Sequence, residues 1–243
     1  MKIDILTLFP GMFSGPLDES IVGRARGVGL LELKVHDLRV WTHDRHRTVD
    51  DRPFGGGPGM VLKPEPIFEA VEALKSVDTR VILTSPSGRP FSQAIARDLA
   101  AQSSLLLICG SYEGFDERIR AHLADDDLSI GDYVLTNGAL PAMVIVDAVA
   151  RLLPGALGDG SSVEDESFSY GLIEGPHYTR PPVFRGFEVP EILQSGNHAQ
   201  IERWRWLQAV RRTFERRPDL WEQWRWRKPA DKKKKNFDWK DLI

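Results

Sequence analysis

Apolar positions along the chain fall into short runs, each closed by glycine, proline or serine. Residues 3–9 alternate and stop at Pro10-Gly11, the pattern of a strand ended by a turn. Residues 21–29 read as a short helix ending at glycine, and residues 30–38 return to a period of two, a second strand. Residues 64–74 are amphipathic at helical spacing with proline in the first turn. Residues 80–84, Arg-Val-Ile-Leu-Thr, read as a buried strand, and residues 92–101 form the next helix with Ser92 as its expected N-cap. A second apolar run at 105–109, a helix at 116–123 and an acidic stretch at 125–127 lead into the segment 128–143. Apolar strands alternating with helices predict an α/β domain whose sheet is mainly parallel, with helices on both faces.

The segment 128–143, Leu-Ser-Ile-Gly-Asp-Tyr-Val-Leu-Thr-Asn-Gly-Ala-Leu-Pro-Ala-Met, organises the rest. It is a short apolar stretch broken at Gly131-Asp132, resumed at Tyr133-Val134-Leu135, ended at Thr136-Asn137-Gly138 and followed by an apolar helical run over 142–153. Glycine admits backbone angles closed to other residues and lets a ligand come close to the main chain. Residues 84–88 and 109–114 repeat this order of strand then glycine. If the three strands are parallel neighbours, the three loops converge at one sheet edge, where open α/β sheets bind ligands.

The chain has 243 residues, 42% of them hydrophobic, enough for a large domain or a medium domain with a small one. The single cysteine, Cys109, excludes an intrachain disulfide and reads as a small core residue in a reducing compartment. No apolar run approaches the roughly 18 residues of a membrane span, and the first residues read as a strand and not as a signal peptide. A soluble, cytoplasmic protein without membrane partners is expected. The net charge of −3 is unevenly spread: residues 203–243 carry 14 Lys/Arg against 6 Asp/Glu, a net of +8, and residues 1–202 carry 18 against 29, a net of −11. An acidic main domain with a basic C-terminal appendage either meets a polyanion or has a solvated charged surface.

Residues 42–60 lack apolar periodicity and hold four glycines and two prolines, so packing does not account for them. His43 and His46 with Asp44, Asp50 and Asp51 suit a metal in type but not in spacing. Arg45, Arg47 and Arg52 beside the glycines suit a phosphate backbone, and a self-paired structural loop is the third reading. Residues 155–182 are rich in Gly, Ser, Pro and acid, a linker by composition, and contain Glu164-Asp-Glu-Ser-Phe168. Beyond it, residues 199–214 form a helix with Trp204, Leu207, Val210 and Phe214 on one stripe, and a helix from Pro218 carries Trp221 and Trp224. Six of the seven tryptophans lie past residue 200. Arginine-interleaved aromatics can stack on bases, but helical spacing assigns most of them to a core. The expected division is a domain over 1–160, a linker over 161–182 and a small all-α basic domain over 183–243, with Lys232 to Lys235 in a tail.

The chain has no Walker loop, no G-x-G-x-x-G after a strand, no G-x-S-x-G elbow and no Cys/His zinc set. What remains is a pocket of backbone-rich loops, an acidic linker and basic surfaces. The motifs Thr42-His-Asp-Arg-His-Arg-Thr-Val-Asp-Asp-Arg-Pro53, Gly55-Gly-Gly-Pro-Gly-Met60, Gly110-x-Tyr-Glu-Gly-x-Asp-Glu-Arg118, Ser129-Ile-Gly-Asp-Tyr-Val-Leu135, Pro176-His-Tyr-Thr-Arg-Pro181 and Ser195-Gly-Asn-His198 stand in this order along the chain. Together they resemble the bacterial tRNA (guanine-N1)-methyltransferases, and the resemblance runs from residue 1 to about residue 220.

The resemblance implies a knotted S-adenosylmethionine-dependent methyltransferase, with a deep trefoil knot around the three loops. Its substrate would be the guanosine just 3′ of the anticodon, position 37 of tRNA, and its form an obligate homodimer with a shared site. It implies a donor site of Ser85, Pro86, Gly110, Tyr112, Glu113, Ser129, Ile130, Gly131, Asp132, Tyr133, Val134 and Leu135, with Gly138 and Pro141 at its edge. It implies tRNA contacts at Arg45, Arg47, Asp50, Arg52, Gly57, His177, Arg180, Ser195, Asn197 and His198. Guanine N1 must lose a proton, so the reaction needs a carboxylate base and a cation near O6. The family motif puts the cation at Arg151. The family usually has Asp-Ser where this chain has Glu166-Ser167, so either Glu166 serves with a shifted linker, the favoured reading, or Asp165 serves through a change of register. Asn137 stands where the family commonly has glycine, and Ala139 where it often has an acid. The family also responds to magnesium, although the sequence shows no metal ligand set. Competing readings are a knotted RNA-binding module with weak or lost catalysis, and a metal-dependent phosphohydrolase using His43 and His46.

Overall fold

The computed structural model describes residues 1–157 and 166–226, which form two compact units, Met1–Gly158 and Asp159–Ile243. The first is built on a five-stranded sheet in the order β2 (Glu32–Asp37), β1 (Lys2–Thr7), β6 (Ser104–Cys109), β5 (Thr79–Pro90) and β7 (Asp126–Ser129), with every pairing parallel. Two further strands, β3 (Asp50–Asp51) and β4 (Val61–Leu62), make a short antiparallel pair of their own.

Strands covered on both faces carry no polar side, and β6, Ser-Leu-Leu-Leu-Ile-Cys, is buried throughout. Alternate residues point to opposite faces. Ile82, Leu105, Leu107 and Cys109 pack with α1 (Ser20–Gly27), α3 (Gln93–Ala100) and α5 (Ala139–Ala150). Val81, Leu83, Leu106 and Ile108 pack with α2 (Pro64–Leu74) and α4 (Glu117–His122). Two cores thus sandwich one sheet. Ser92 caps α3, accepting from the Ile95 amide at 3.4 Å, and Asp116 caps α4. Cys109 is part of this core, and burial pushes its thiol up to about 12.

The chain leaves β5 through α3 to reach β6 on one side, and leaves β6 through α4 to reach β7 on the other. Direction therefore reverses around β5, which opens a crevice at the carboxyl ends of β5, β6 and β7. Residues 85–88 are not a loop that ends β5, as their Ser-Pro-Ser-Gly composition had led us to expect. They are an irregularity within it, after which Arg89 and Pro90 pair with Leu128 and Ser129. The acidic residues before the 128–143 segment belong to β7. Asp126 takes the Arg80 Nε at 2.6 Å and Arg89 Nε at 3.0 Å, and Asp127 takes Arg120 Nε at 2.8 Å. Matched charges let a carboxylate pair enter a sheet edge.

The second unit is not all-α. It contains an antiparallel hairpin of β8 (Val183–Phe184) and β9 (Phe187–Glu188), then α6 (Glu191–Gln194), α7 (His198–Arg216) and α8 (Pro218–Arg225). Its core is Leu172, Val210, Trp221 and Trp224, with Trp206 packed against it. The buried face of α7 is thus Trp206, Val210 and Thr213, offset from the stripe expected from the sequence, and Phe214 is exposed. The offset follows from Leu172 and α8, whose positions the pattern within α7 does not contain. Residues 166–172 fold as a turn closed by the Phe168 amide on the Leu172 carbonyl, 2.7 Å, with Leu172 buried below it.

Candidate active site

At the carboxyl ends of β5, β6 and β7 three loops are stitched to one another through main-chain atoms. The Gly110 amide donates to the Thr84 carbonyl at 3.3 Å, and the Gly138 amide donates to the Gly110 carbonyl at 2.7 Å. The buried Thr84 hydroxyl reaches the Ile108 carbonyl at 3.2 Å and the Gly138 carbonyl at 3.3 Å. Only glycine fits at these crossings. A Cβ on Gly138 would fall 2.1 Å from Thr84 Oγ1 and 2.6 Å from the Gly110 nitrogen, and one on Gly110 would fall 2.8 Å from the Thr84 carbonyl.

The loops enclose a cavity of about 310 Å³. Of the residues expected at a donor site, all but Asp132 line it: Ser85, Pro86, Gly110, Tyr112, Glu113, Ser129, Ile130, Gly131, Tyr133, Val134, Leu135, Gly138 and Pro141. Thr84, Ser87, Ser111, Thr136 and Asn137 also line it, from the loops the sequence had named though not as donor-site residues, and so do Phe115 and Arg120, which the sequence did not single out. Most adjoin a motif residue, which is the signal that would have found them. Arg120 arrives from α4, two residues past the third motif, and its guanidinium meets Ser87 Oγ at 3.2 Å and Asp127 at 2.8 Å. Burial pushes the Asp127 carboxyl up against the opposing pull of Arg120. The turn at Gly131 is held by Ser129 Oγ on the Gly131 carbonyl, 3.0 Å. Tyr112 takes a positive φ of 58°, and both it and Tyr133 are about half exposed at the rim.

The glycine-rich loop 55–60 is fastened to the same cavity. The Glu113 amide donates to the Met60 carbonyl at 3.0 Å, and the Leu62 amide to the Gly114 carbonyl at 2.9 Å. Gly55, Gly56, Gly57 and Gly59 all have positive φ. Arg45, Arg47, Arg52 and Gly57 are exposed, whereas Asp50 pairs with Leu62 in the short β3–β4 ladder. Two of the residues weighed as metal ligands, His43 and Asp44, are engaged elsewhere. His43 Nε2 meets Glu69 at 2.8 Å, and Asp44 holds the loop through the Thr48 amide and hydroxyl and the His46 amide. Those bonds, Thr48 first, also hold the Asp44 carboxyl below its ordinary range. Among the described residues no group of three or more His, Cys, Asp or Glu comes together to hold a metal.

Arg151 is the C-cap of α5 and follows its last residue, with its amide on the Asp147 carbonyl at 3.2 Å. It does not line the cavity. A cation at a helix C-terminus also favours the helix dipole, which is its ordinary structural role. In the second unit, Glu166 is half-buried and lines a separate hollow of about 400 Å³ with His177, His198, Arg205 and Trp206. Asp165 lies outside the described residues, as does the Lys232–Lys235 run. His177 and Arg180 are exposed. Ser195 and Asn197 have local work: Ser195 Oγ meets the Ile192 carbonyl at 2.8 Å, and Asn197 caps α7 through the Gln200 amide at 3.2 Å. His198, exposed, begins α7.

Comparison with known proteins gives a consistent result. Residues 1–223 match the family model described as "tRNA (Guanine-1)-methyltransferase TrmD". A protein of Dehalococcoides mccartyi (strain 195) named tRNA (guanine-N(1)-)-methyltransferase is 59% identical over 226 residues, 92% of this chain and 91% of its own length. Proteins of the same name from Dictyoglomus turgidum and Geobacillus kaustophilus are each 57% identical, over 92% of this chain and 91% and 93% of their own. With the family model covering nine-tenths of the chain and identity above one half, the chain belongs to the tRNA (guanine-1)-methyltransferase family.

Proposed function

We propose that the protein transfers the methyl group of S-adenosylmethionine to N1 of guanosine 37, immediately 3′ of the anticodon, in tRNA. In this reading it acts in the cytoplasm as a homodimer, and a deep trefoil knot ties its first unit. The observation that carries the reading is the convergence of three glycine-crossed loops on one cavity at the reversal point of the sheet, in a chain of this family.

The cavity suits the donor. Its volume lies at the small end of the range for small-molecule sites. Backbones packed too closely for a Cβ leave main-chain donors and acceptors to meet an adenine edge, and Tyr112, Phe115 and Tyr133 offer flat faces. Bound there, S-adenosylmethionine supplies an electrophilic sulfonium methyl. The walls from β5, β6 and β7 would hold it in line with the nucleophile, a positioning role.

Guanine N1 carries a proton that a carboxylate must take, and the negative charge passing to O6 needs a cation. We assign the base to Glu166 and the cation to Arg151. Glutamate is one methylene longer than aspartate, roughly 1 Å of reach, and misplacement on that scale costs about 100-fold in rate. The Glu166–Leu172 turn anchored in the second unit's core supports a defined position for that longer arm.

Helix α5 supports the dimer. It begins at the cavity with Gly138 and Pro141 and ends twelve residues on at Ala150. At 1.5 Å per residue that sets Arg151 about 18 Å along the axis from its own chain's cavity. A second copy laying its α5 antiparallel would bring Arg151 to the neighbouring cavity. The outward face of α5 carries Leu140 and Val144, nearly half exposed, before the exposed Asp147, and Phe9 and Met12 are exposed too. The basic loop with Arg45, Arg47 and Arg52, and the second unit with His177, Arg180 and His198, would hold the tRNA.

Single-turnover methylation of a tRNA transcript by wild type, Glu166→Gln, Asp165→Asn and Arg151→Ala tests the assignment. Collapse in Glu166→Gln alone makes Glu166 the base. Collapse in Asp165→Asn alone moves the base by one residue. Arg151→Ala is expected to lower the rate by about 100-fold or more, as for loss of one charge-stabilising group, with donor affinity little changed. Equal losses of rate and donor affinity would contradict its role.

A further inference from the structure

The hairpin of the second unit exposes aromatic rings for which the fold has no use. Phe184 faces Phe187 and Val183 faces Glu188 across the antiparallel pair. Arg185 and Gly186 form its two-residue turn with φ of 52° and 82°, the left-handed pair that fits hairpin twist. The Val189 amide on the Pro182 carbonyl, 2.8 Å, extends the ladder below. Opposed residues project to one face, so both rings share a side and the carboxylate of Glu188 is on the other. Phe184 is 58% exposed and Phe187 78% exposed. The Arg185 guanidinium lies 5.2 Å from the centroid of the Phe184 ring.

At the foot of the hairpin, Pro182 and Val189 border a groove of about 670 Å³ whose walls include His177, Tyr178, Arg180 and Arg205. Tyr178 is half exposed and tilts against Trp204 at 6.4 Å. Basic groups along a groove with exposed rings at its lip make the surface that unpaired nucleic acid uses: guanidinium to phosphate, ring to base. A purely apolar partner would cover the guanidinium groups of Arg180, Arg185 and Arg205 without offering them counter-charge, whereas RNA offers both phosphate and base.

We infer that Phe184, Arg185 and Phe187 form an RNA-stacking element, in which the two rings stack on unpaired nucleobases of a tRNA whose backbone follows the groove. The inference rests on tRNA being the substrate and adds residues to its recognition.

The test uses the full chain and a full-length tRNA transcript, with Kd measured by filter binding and kcat and KM by methyl transfer. Phe184→Leu/Phe187→Leu keeps the apolar surface and removes the rings. It is expected to raise Kd and KM for tRNA by about 10- to 100-fold, with kcat and donor affinity unchanged. Phe184→Tyr/Phe187→Tyr, which keeps the rings, is expected to stay within about threefold of wild type. If the leucine pair does not fold, Arg185→Asn, which accepts a positive φ, is expected to weaken tRNA binding several-fold. Wild-type affinity in the leucine pair, or an equal loss in the tyrosine pair, would overturn the inference. So would loss of the dimer in sedimentation, which would assign the rings to a second copy. A wild-type protein that binds no tRNA would overturn the substrate reading itself; one that binds tRNA as tightly as its leucine pair overturns only the stacking element.

Discussion

At the scale of single residues, the site depends on three positions that put main chain against main chain. Thr84, Gly110 and Gly138 close the loop crossing: a Cβ on Gly110 would meet the Thr84 carbonyl, and one on Gly138 the Gly110 nitrogen and the Thr84 hydroxyl. Gly138→Ala needs no unusual backbone angle, since its φ is −80°. Its cost is therefore steric, against the main chain of Gly110 and Cys109 and the hydroxyl of Thr84. Overpacking of this kind costs about 1–3 kcal/mol. Because the strain falls on the cavity wall, Gly138→Ala is expected to weaken S-adenosylmethionine binding by about 10-fold or more, read by calorimetry. Unchanged donor affinity with lowered stability would mean that the crossing supports the fold and not the pocket. Glu166 is a residue-scale departure of a different kind: its type was legible in the sequence as unusual for the family, but its surroundings were not. The turn that holds it depends on Leu172 sinking between α7 and α8.

At the scale of elements, what could be read in the sequence was what is buried on both sides. β6 and the first half of β5 announce themselves because the apolar residues of each, Val81, Ile82 and Leu83 in β5, find a core on one face or the other. Of β7 only the end from Leu128 did, because its first two residues are aspartates whose partners, Arg80, Arg89 and Arg120, come from other elements. The continuation of β5 past Gly88 was hidden for a related reason: Ser-Pro-Ser-Gly reads locally as a loop, and only the pairing with β7 makes it strand. The hairpin was missed although Arg185-Gly186 sits between two apolar-containing pairs, since a two-residue ladder is too short to show alternation. Helix α5 was legible as apolar but for Asp147, and in the proposed account its meaning lies in the outward Leu140 and Val144. If the proposed dimer forms through this face, Val144→Arg is expected to give a monomer in sedimentation and to abolish methyl transfer while leaving the monomer folded. A monomeric Val144→Arg that keeps full activity would refute the shared site.

At the scale of the whole molecule, the two units differ in charge: residues 1–158 carry 16 Lys/Arg against 21 Asp/Glu, a net of −5, and residues 159–243 carry 16 against 14, a net of +2, with the basic excess confined to residues 203–243. In the proposed account the first unit holds a small cationic donor, and the second meets a polyanion. The arrangement of loops at the reversal point was foreseeable from three strand-then-glycine repeats. The order of the strands that brings them together was not, because it depends on crossovers no local pattern encodes. The central claim is that the methyl group goes to N1 of guanosine 37. Its most direct measurement is methyl transfer from labelled S-adenosylmethionine to two tRNA transcripts, identical except for guanosine or adenosine at position 37, with the modified base identified after digestion. The account predicts label in the first transcript only, recovered as 1-methylguanosine. Label in both transcripts, or recovered as any other base, would contradict it.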